Sequence, residues 1–206
     1  GMSVNTNVGA MLALQNLNKS NKMLETTQLH ITTGLKVNGP KDDAATYAIA
    51  QRMRGDIAGM GAVKTALSNG EATVNVAITA GKAVADMLTE MKAKVVQANQ
   101  AGLDTASRTA LNNDFTSLRD QLETIVQTAE FNGKNLITTG ASALTVLSTV
   151  DGSTISVSAQ VMNATALGIE ADILTSASGA ATALTTIDAA INSVTASLAS
   201  LGSSSK

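Results

Sequence analysis

Cysteine is absent from the 206 residues, proline and histidine occur once each, and aromatic side chains make up only 1% of the chain. Without thiols there is no disulfide, no thiol nucleophile and no Cys-ligated metal, while the redox compartment stays undecided. The lone His30 has no His-x-x-x-His or carboxylate–histidine spacing around it. Tyr47, Phe115 and Phe131 are too few to line a deep small-molecule pocket. No run of about 18 uncharged apolar residues exists, so no helix is expected to span a bilayer. The net charge is −2 and no basic tract stands out, which argues against nucleic acid and anionic membrane as partners. The N-terminus lacks the basic and apolar regions of a cleaved secretory signal, and Gly1 before Met2 reads as a scar of cloning. Gly59-Met60-Gly61 lacks the strand-and-helix setting of a nucleotide loop. Asp42 and Asp43, adjacent on a helix, point about 100° apart and do not converge as an acid pair. No catalytic site, metal or cofactor is therefore expected.

What is present is helix periodicity. Hydrophobic residues reach 44% of the chain, nearly all aliphatic or Ala, a composition suited to slender helix seams. One lattice runs through Met60, Val63, Leu67, Gly70, Val74, Ala77, Gly81, Val84, Leu88, Met91, Val95 and Ala98, alternating steps of three and four. A sustained 3.5-residue period marks a helix packed lengthwise on others. A second lattice runs through Ala10, Leu14, Leu17, Asn21, Leu24, Gln28, Ile31 and Leu35. Its polar Asn21 and Gln28 weaken a seam but can fix register. Gly34, Gly39 and Pro40 end that helix, and Asp42 or Asp43 offers an N-cap for the next. Gly55, Gly59 and Gly61 predict a bend or short break near 55–60. Asp104 is the expected N-cap of a helix with Leu111, Phe115, Leu118, Leu122, Ile125 and Ala129 in register, which stops at Asn132-Gly133.

The period then changes. Residues 143–150 and 153–161 read as strands, with Ile155, Val157, Ala159 and Val161 on one face. Asp151-Gly152 between them predicts a type I′ hairpin, which must lie against a helix to be stable. After Leu167-Gly168-Ile169, helix resumes near Ser178 with Leu184, Ile187, Ile191, Val194, Leu198 and Leu201 in register. The expected fold is mainly α: an elongated antiparallel helical bundle with heptad seams and a small β-hairpin. The rods of 60–100, 104–130 and 180–202 complete the bundle. Gly70 and Gly81 are expected close-approach points between helices. Asn18-Lys19-Ser20 and Asn163-Ala164-Thr165 fit the glycosylation acceptor pattern.

Several segments together resemble bacterial flagellin. They are Val4-Asn5-Thr6-Asn7; Leu14-Gln15-Asn16-Leu17-Asn18-Lys19-Ser20; Thr33-Gly34-Leu35-Lys36-Val37-Asn38-Gly39-Pro40-Lys41-Asp42-Asp43-Ala44-Ala45 with Ala48-Ile49-Ala50; and Phe131-Asn132-Gly133-Lys134-Asn135-Leu136. The resemblance covers residues 4–202. It implies an N-terminal helix, residues 2–40, in the innermost tube of a filament, with Leu14, Leu17, Asn21, Leu24, Gln28 and Ile31 meeting other subunits. Residues 41–206 would form the surrounding rod, with the hairpin at about 143–161. The implied function is a structural subunit that self-assembles into the flagellar filament for motility, not an enzyme. The implied partners are further copies of the chain, the flagellar export machinery and a chaperone; the implied location is outside the cell, in the filament.

Three departures from the family pattern stand out. Only about ten residues separate Ile169 from the last helix, which implies missing outer domains and a slim filament. No inner-tube helix follows Lys206, which reads as truncation and implies poor polymerisation. Flagellins that activate the flagellin-sensing Toll-like receptor resemble Leu-Gln-Arg-Val-Arg-Glu-Leu-Ala-Val-Gln, where this chain has Leu88-Thr89-Glu90-Met91-Lys92-Ala93-Lys94-Val95-Val96-Gln97. Thr89, Glu90, Lys92 and Lys94 are the candidate receptor-facing residues, and Glu90 and Lys94 in place of Arg and Leu predict weak activation. The alternatives are a hook–filament junction protein of the same superfamily, favoured slightly by Pro40, and a surface adhesin using the Ser/Thr-rich stretch 138–160.

Overall fold

The structure, a computed structural model, describes residues 17–19, 21 and 40–204. Its elements are α1 (Pro40–Ala98), α2 (Thr105–Thr128), β1 (Leu144–Leu147), β2 (Thr154–Val157), α3 (Ala164–Leu167) and α4 (Ala177–Ser204).

Helix α1 has 59 residues, so at 1.5 Å per residue it is about 90 Å long. Pro40 is its first described residue. Asp42 and Asp43 are both helical, so neither is the N-cap that was expected. The break expected near 55–60 is also absent: Gly55, Gly59 and Gly61 are all helical. Three glycines weaken a helix by roughly 1 kcal/mol each, but Met53, Met60 and Val63 are buried on either side of them, and such burial is worth more. Every position of the long lattice from Met60 to Ala98 is buried.

Helices α2 and α4 both pack along α1, and the short α3 bridges α2 and α4. Both run antiparallel to α1. At its C-terminal end the Arg108 guanidinium donates to the Ala98 carbonyl at 2.7 Å, and the Asn99 amide donates to Ala180 O at 2.9 Å. Asp104 caps α2 by accepting from the Ser107 N–H at 2.6 Å. Phe115, Leu122 and Val126 are the buried residues of α2, with Leu111, Leu118 and Ile125 packed beside them. In α4 the innermost residues include Ala180, Ala183 and Ala190 with Ile187, Val194 and Leu201, whereas Leu184, Ile191 and Leu198 are only partly buried. The seam is thus centred on small residues, and the expected Leu/Ile positions flank it.

One face of α1 carries Gly59, Gly70 and Gly81, spaced by eleven residues. A Cβ on Gly81 would lie 2.7 Å from Leu198 of α4, and one on Gly70 would lie 2.6 Å from Val146 of β1. One on Gly59 would overlap Val150 beyond β1. The close helix–helix approach expected at Gly81 is present; at Gly70 the close approach is made by the hairpin strand β1 rather than by a helix. Helix α4 covers one stretch of this face, and the hairpin continues along it.

The hairpin is shorter than expected. Its register pairs Leu144 with Val157 and Leu147 with Thr154, so six residues, 148–153, join the strands. Asp151 does not adopt positive φ, so Asp151-Gly152 is not the type I′ turn expected. Ser148 N–H donates to Ser153 O at 2.8 Å, and Gly152 N–H to Thr149 O at 3.2 Å. The Asp151 carboxylate accepts from the Thr149 hydroxyl and, at 3.2 Å, from Ser153 N–H. The type I′ geometry occurs instead at Asn132-Gly133, with φ of 51° and 78°. There Phe131 and Lys134 exchange both backbone hydrogen bonds at 3.0 Å. Past Val157 the chain leaves β1: Gln160 N–H donates to Leu136 O and Met162 N–H to Ile137 O. The strand expected to reach 161 ends at Val157 for that reason. Leu136, Ile137 and Met162 are thereby held in the main core.

Candidate functional site

The inward face of the rod is satisfied, so any recognition falls on its outer faces. Of the expected assembly residues, Leu17 is helical and half-buried and Asn21 is helical and exposed. Leu14, Leu24, Gln28 and Ile31 lie outside the described residues.

The other candidate patch lies on α1. Thr89 and Glu90 are exposed, and the Thr89 hydroxyl donates to Ala85 O at 3.0 Å within its own helix. Lys92 and Lys94 flank the buried seam on opposite sides. Lys92 Nζ lies 2.7 Å from Asp188 of α4, and Lys94 Nζ lies 3.3 Å from Asp114 of α2. Both lysines are about one-third to two-fifths exposed. The structure thus separates the four: two are free surface, and two pin α1 to its neighbours.

Three outer features had not been singled out. The first is the N-terminal third of α1, where Tyr47, Ile49 and Ile57 are exposed apolar residues, Tyr47 at 64%. The Tyr47 hydroxyl accepts from the Gln51 side-chain amide at 2.7 Å, one turn along. The long lattice begins only at Met60, so nothing in its period pointed to these residues. The second is an open groove of about 430 Å³ between α1 and α2, walled by Asn75, Val76, Ala80, Ala83, Ile125 and Ala129. Its floor holds Asn75 Oδ1, which is buried with no hydrogen-bond donor. The third is the strap 169–172, gripped by one nitrogen of Arg119, which donates to Ile169, Glu170 and Asp172 carbonyls at 2.7–3.1 Å. The same guanidinium lies 5.7 Å above the Phe115 ring, a cation–π arrangement.

Asn163 caps α3 by accepting from Ala166 N–H at 2.8 Å, and its amide donates to the Thr139 hydroxyl, so the acceptor nitrogen of that glycosylation pattern is engaged. Asp104 and Asp151 are held below the usual carboxylate range, chiefly by hydrogen bonds from Ser107 and from Thr149 respectively. Both serve turns and caps. Among the described residues no group of three His, Cys, Asp or Glu is placed to hold a metal ion, and no helix is long and apolar enough to cross a membrane.

Comparison with known proteins accounts for a rod of this kind. The sequence profile described as "Bacterial flagellin N-terminal helical region" matches residues 4–142. Flagellin FljK of Caulobacter vibrioides is 43% identical over 167 residues, 81% of this chain and 61% of that protein. Flagellin FljM of the same organism is 41% identical over 82% of this chain and 62% of its own length. Flagellin C of Rhizobium meliloti is 41% identical over 68% of this chain and 43% of its own. The chain therefore spans less than two thirds of the length of these relatives. The crystal structure of Bacillus cereus flagellin superposes with a TM-score of 0.57 at 21% identity, covering 64% of this chain and 77% of that one, a likeness of fold. With a helical rod, a hairpin laid along it and a profile match over most of its length, the chain belongs to the flagellin family.

Proposed function

We propose that the chain is a structural, non-catalytic subunit that self-assembles into a bacterial flagellar filament, after export by the flagellar machinery with a chaperone's help. The observation that carries this reading is the flagellin match over residues 4–142. The geometry supports it: the long lattice of α1 is consumed inside the chain, while Tyr47, Ile49 and Ile57 remain exposed for contacts between copies. Residues 2–40 are the inner-tube segment of this proposal and residues 41–206 the surrounding rod. Leu14, Leu17, Asn21, Leu24, Gln28 and Ile31 are its inter-subunit residues. Co-expression with a second flagellin in a flagellin-deficient strain, followed by immunoelectron microscopy of shed and attached filaments, tests it, since the chain is expected to polymerise poorly unaided. Filaments containing the chain are expected, and their loss on Leu24→Asp with the secreted monomer still folded. A chain that is exported and folded but never enters filaments overturns the proposal.

Contact with the flagellin-sensing Toll-like receptor is proposed to be weak. Glu90 is exposed, and Lys92 and Lys94 reach a receptor only by leaving Asp188 and Asp114. A receptor reporter assay is expected to show low potency; potency equal to that of a strong activator refutes it.

A further inference from the structure

Three Asn-Gly dipeptides occur in the chain, at Asn38, Asn69 and Asn132, and the structure treats two of them oppositely. Asn-Gly is the dipeptide most open to intramolecular attack on the side-chain amide, because glycine has no Cβ to obstruct the approach. Attack also needs a backbone N–H that is free of hydrogen bonds and a chain able to rotate about the Asn Cα–C bond.

Asn69-Gly70 fails on both counts. It lies in the middle of α1, where each N–H is committed to a carbonyl one turn back. Gly70 is buried and sits under Val146. Rotation there means unwinding the centre of the rod. Asn132-Gly133 is the reverse case. Both residues are exposed, and they form the two corners of the type I′ turn. The turn is closed only by the pair of hydrogen bonds between Phe131 and Lys134. Those bonds use the N–H groups of Phe131 and Lys134 and leave that of Gly133 without a backbone acceptor, and the space beside the Gly133 Cα is open. Asn132 is also the one non-glycine residue at positive φ among the described residues, a conformation that L-residues hold less readily. Breaking two hydrogen bonds frees it, whereas Asn69 needs sub-global opening.

We propose that Asn132 is a site of spontaneous, age-dependent deamidation, and that the fold protects Asn69. The Gly133 amide nitrogen gives up its proton and forms a bond to Asn132 Cγ. The Cγ–nitrogen bond of the side chain breaks, and the amide nitrogen leaves with that proton as ammonia. The resulting five-membered imide is opened by water at either carbonyl. One opening gives an ordinary aspartate linkage, the other an isoaspartate linkage in which the main chain runs through the former side chain. The isoaspartate adds an atom to the two-residue turn and misaligns the Phe131–Lys134 bridge. The next residue, Asn135, donates to Val126 O at 2.7 Å and accepts from Ile137 N–H at 2.9 Å, so the disturbance reaches the Leu136–Ile137 segment that pairs with Gln160 and Met162.

Trypsin separates the two sites. Asn132 is the only asparagine between Arg119 and Lys134, and Asn69 lies between Lys64 and Lys82 with Asn75. The folded protein is incubated at mildly alkaline pH and sampled by peptide mapping, reading the mass gain with fragment ions that distinguish isoaspartate. Deamidation at Asn132 is expected to exceed that at Asn69 by about tenfold or more, because the two openings differ so much in size. In strong urea the Asn69 rate is expected to rise to within a few-fold of the Asn132 rate. Equal rates in the folded protein overturn the proposal, as does an Asn69 rate that stays low when the chain is unfolded. Asn132→Ser serves as the blank for the 120–134 peptide.

Discussion

Leu198 of α4 seats directly on Gly81 of α1, 2.7 Å from where a Cβ would stand, with Met162 at 3.2 Å on the same spot. The contact works only because position 81 has no side chain. A methyl there must push aside the ends of two flexible side chains, so Gly81→Ala is expected to forfeit the roughly 1 kcal/mol that Gly→Ala otherwise gains in a helix and to fall level with or slightly below the parent, read by thermal or urea unfolding. Gly61, with open space around its Cβ position, is the control: Gly61→Ala is expected to raise stability by roughly 0.5–1 kcal/mol. Adding Leu198→Ala to Gly81→Ala should recover part of the loss, a coupling that independent sites do not show.

Arg119 holds the strap after α3 by three carbonyls at once. Hydrogen bonds to a charged group contribute about 1.5–3 kcal/mol, so Arg119→Met is expected to lower stability by that order. Hydrogen exchange should accelerate at 167–174 with little change in the centre of α1. Arg119→Lys is expected to recover only part, since an ammonium cannot reproduce the planar group above Phe115.

The two turn carboxylates set an acid limit. Asp104 and Asp151 both titrate below 3.8, their ordinary value. A depressed folded-state pKa gives stability that is present above the unfolded value and disappears as pH falls through the folded one. Stability is therefore expected to be level at neutral pH and to decline below about pH 4. Asp104→Asn keeps a capping oxygen but cannot titrate, so its unfolding midpoint should fall less steeply with acid than that of the parent.

Asn75 Oδ1 is buried without a donor. An orphaned acceptor costs about 1–3 kcal/mol of desolvation, and Ala is the better helix former. Asn75→Ala is expected to raise Tm by about 2–4 °C, measured by calorimetry; a fall of that size would show that the amide has a partner in solution.

The α1 seam was legible because a 3.5-residue period held over a long helix leaves a single face for burial. The period was less reliable in α2, where Val126 rather than Ile125 is innermost; a straight helix at 3.6 residues per turn drifts off a strict heptad. In α4 the eye follows Leu and Ile, yet Ala180, Ala183 and Ala190 lie deepest, because small side chains let helices approach. The hairpin shows a different limit. Asp151-Gly152 carries a turn signal, but the hydroxyls of Thr149 and Ser153 recruit the Asp151 carboxylate and lengthen the loop. Alternation past Val157 was real, but its pairing partner is the distant Leu136–Ile137 pair, which local pattern cannot reveal. The split of Lys92 and Lys94 from Thr89 and Glu90 was equally hidden, since it depends on where Asp188 and Asp114 fall once three helices are assembled. The outer faces are the least legible of all, because nothing within the chain completes them.

The unbroken hydrogen-bond ladder of α1 has a mechanical consequence. A continuous helix about 90 Å long behaves as a stiff beam with no hinge at its three clustered glycines. A torque applied near Tyr47 is not dissipated at residues 55–61; it arrives at the Val84–Val95 stretch as axial rotation. The elastic give of the molecule must then come from its flanks. The hairpin is the softer of them, since Val146 rests on α1 through a small cluster with Val63 and Leu67, and only Val157 and Leu144 reach the main core.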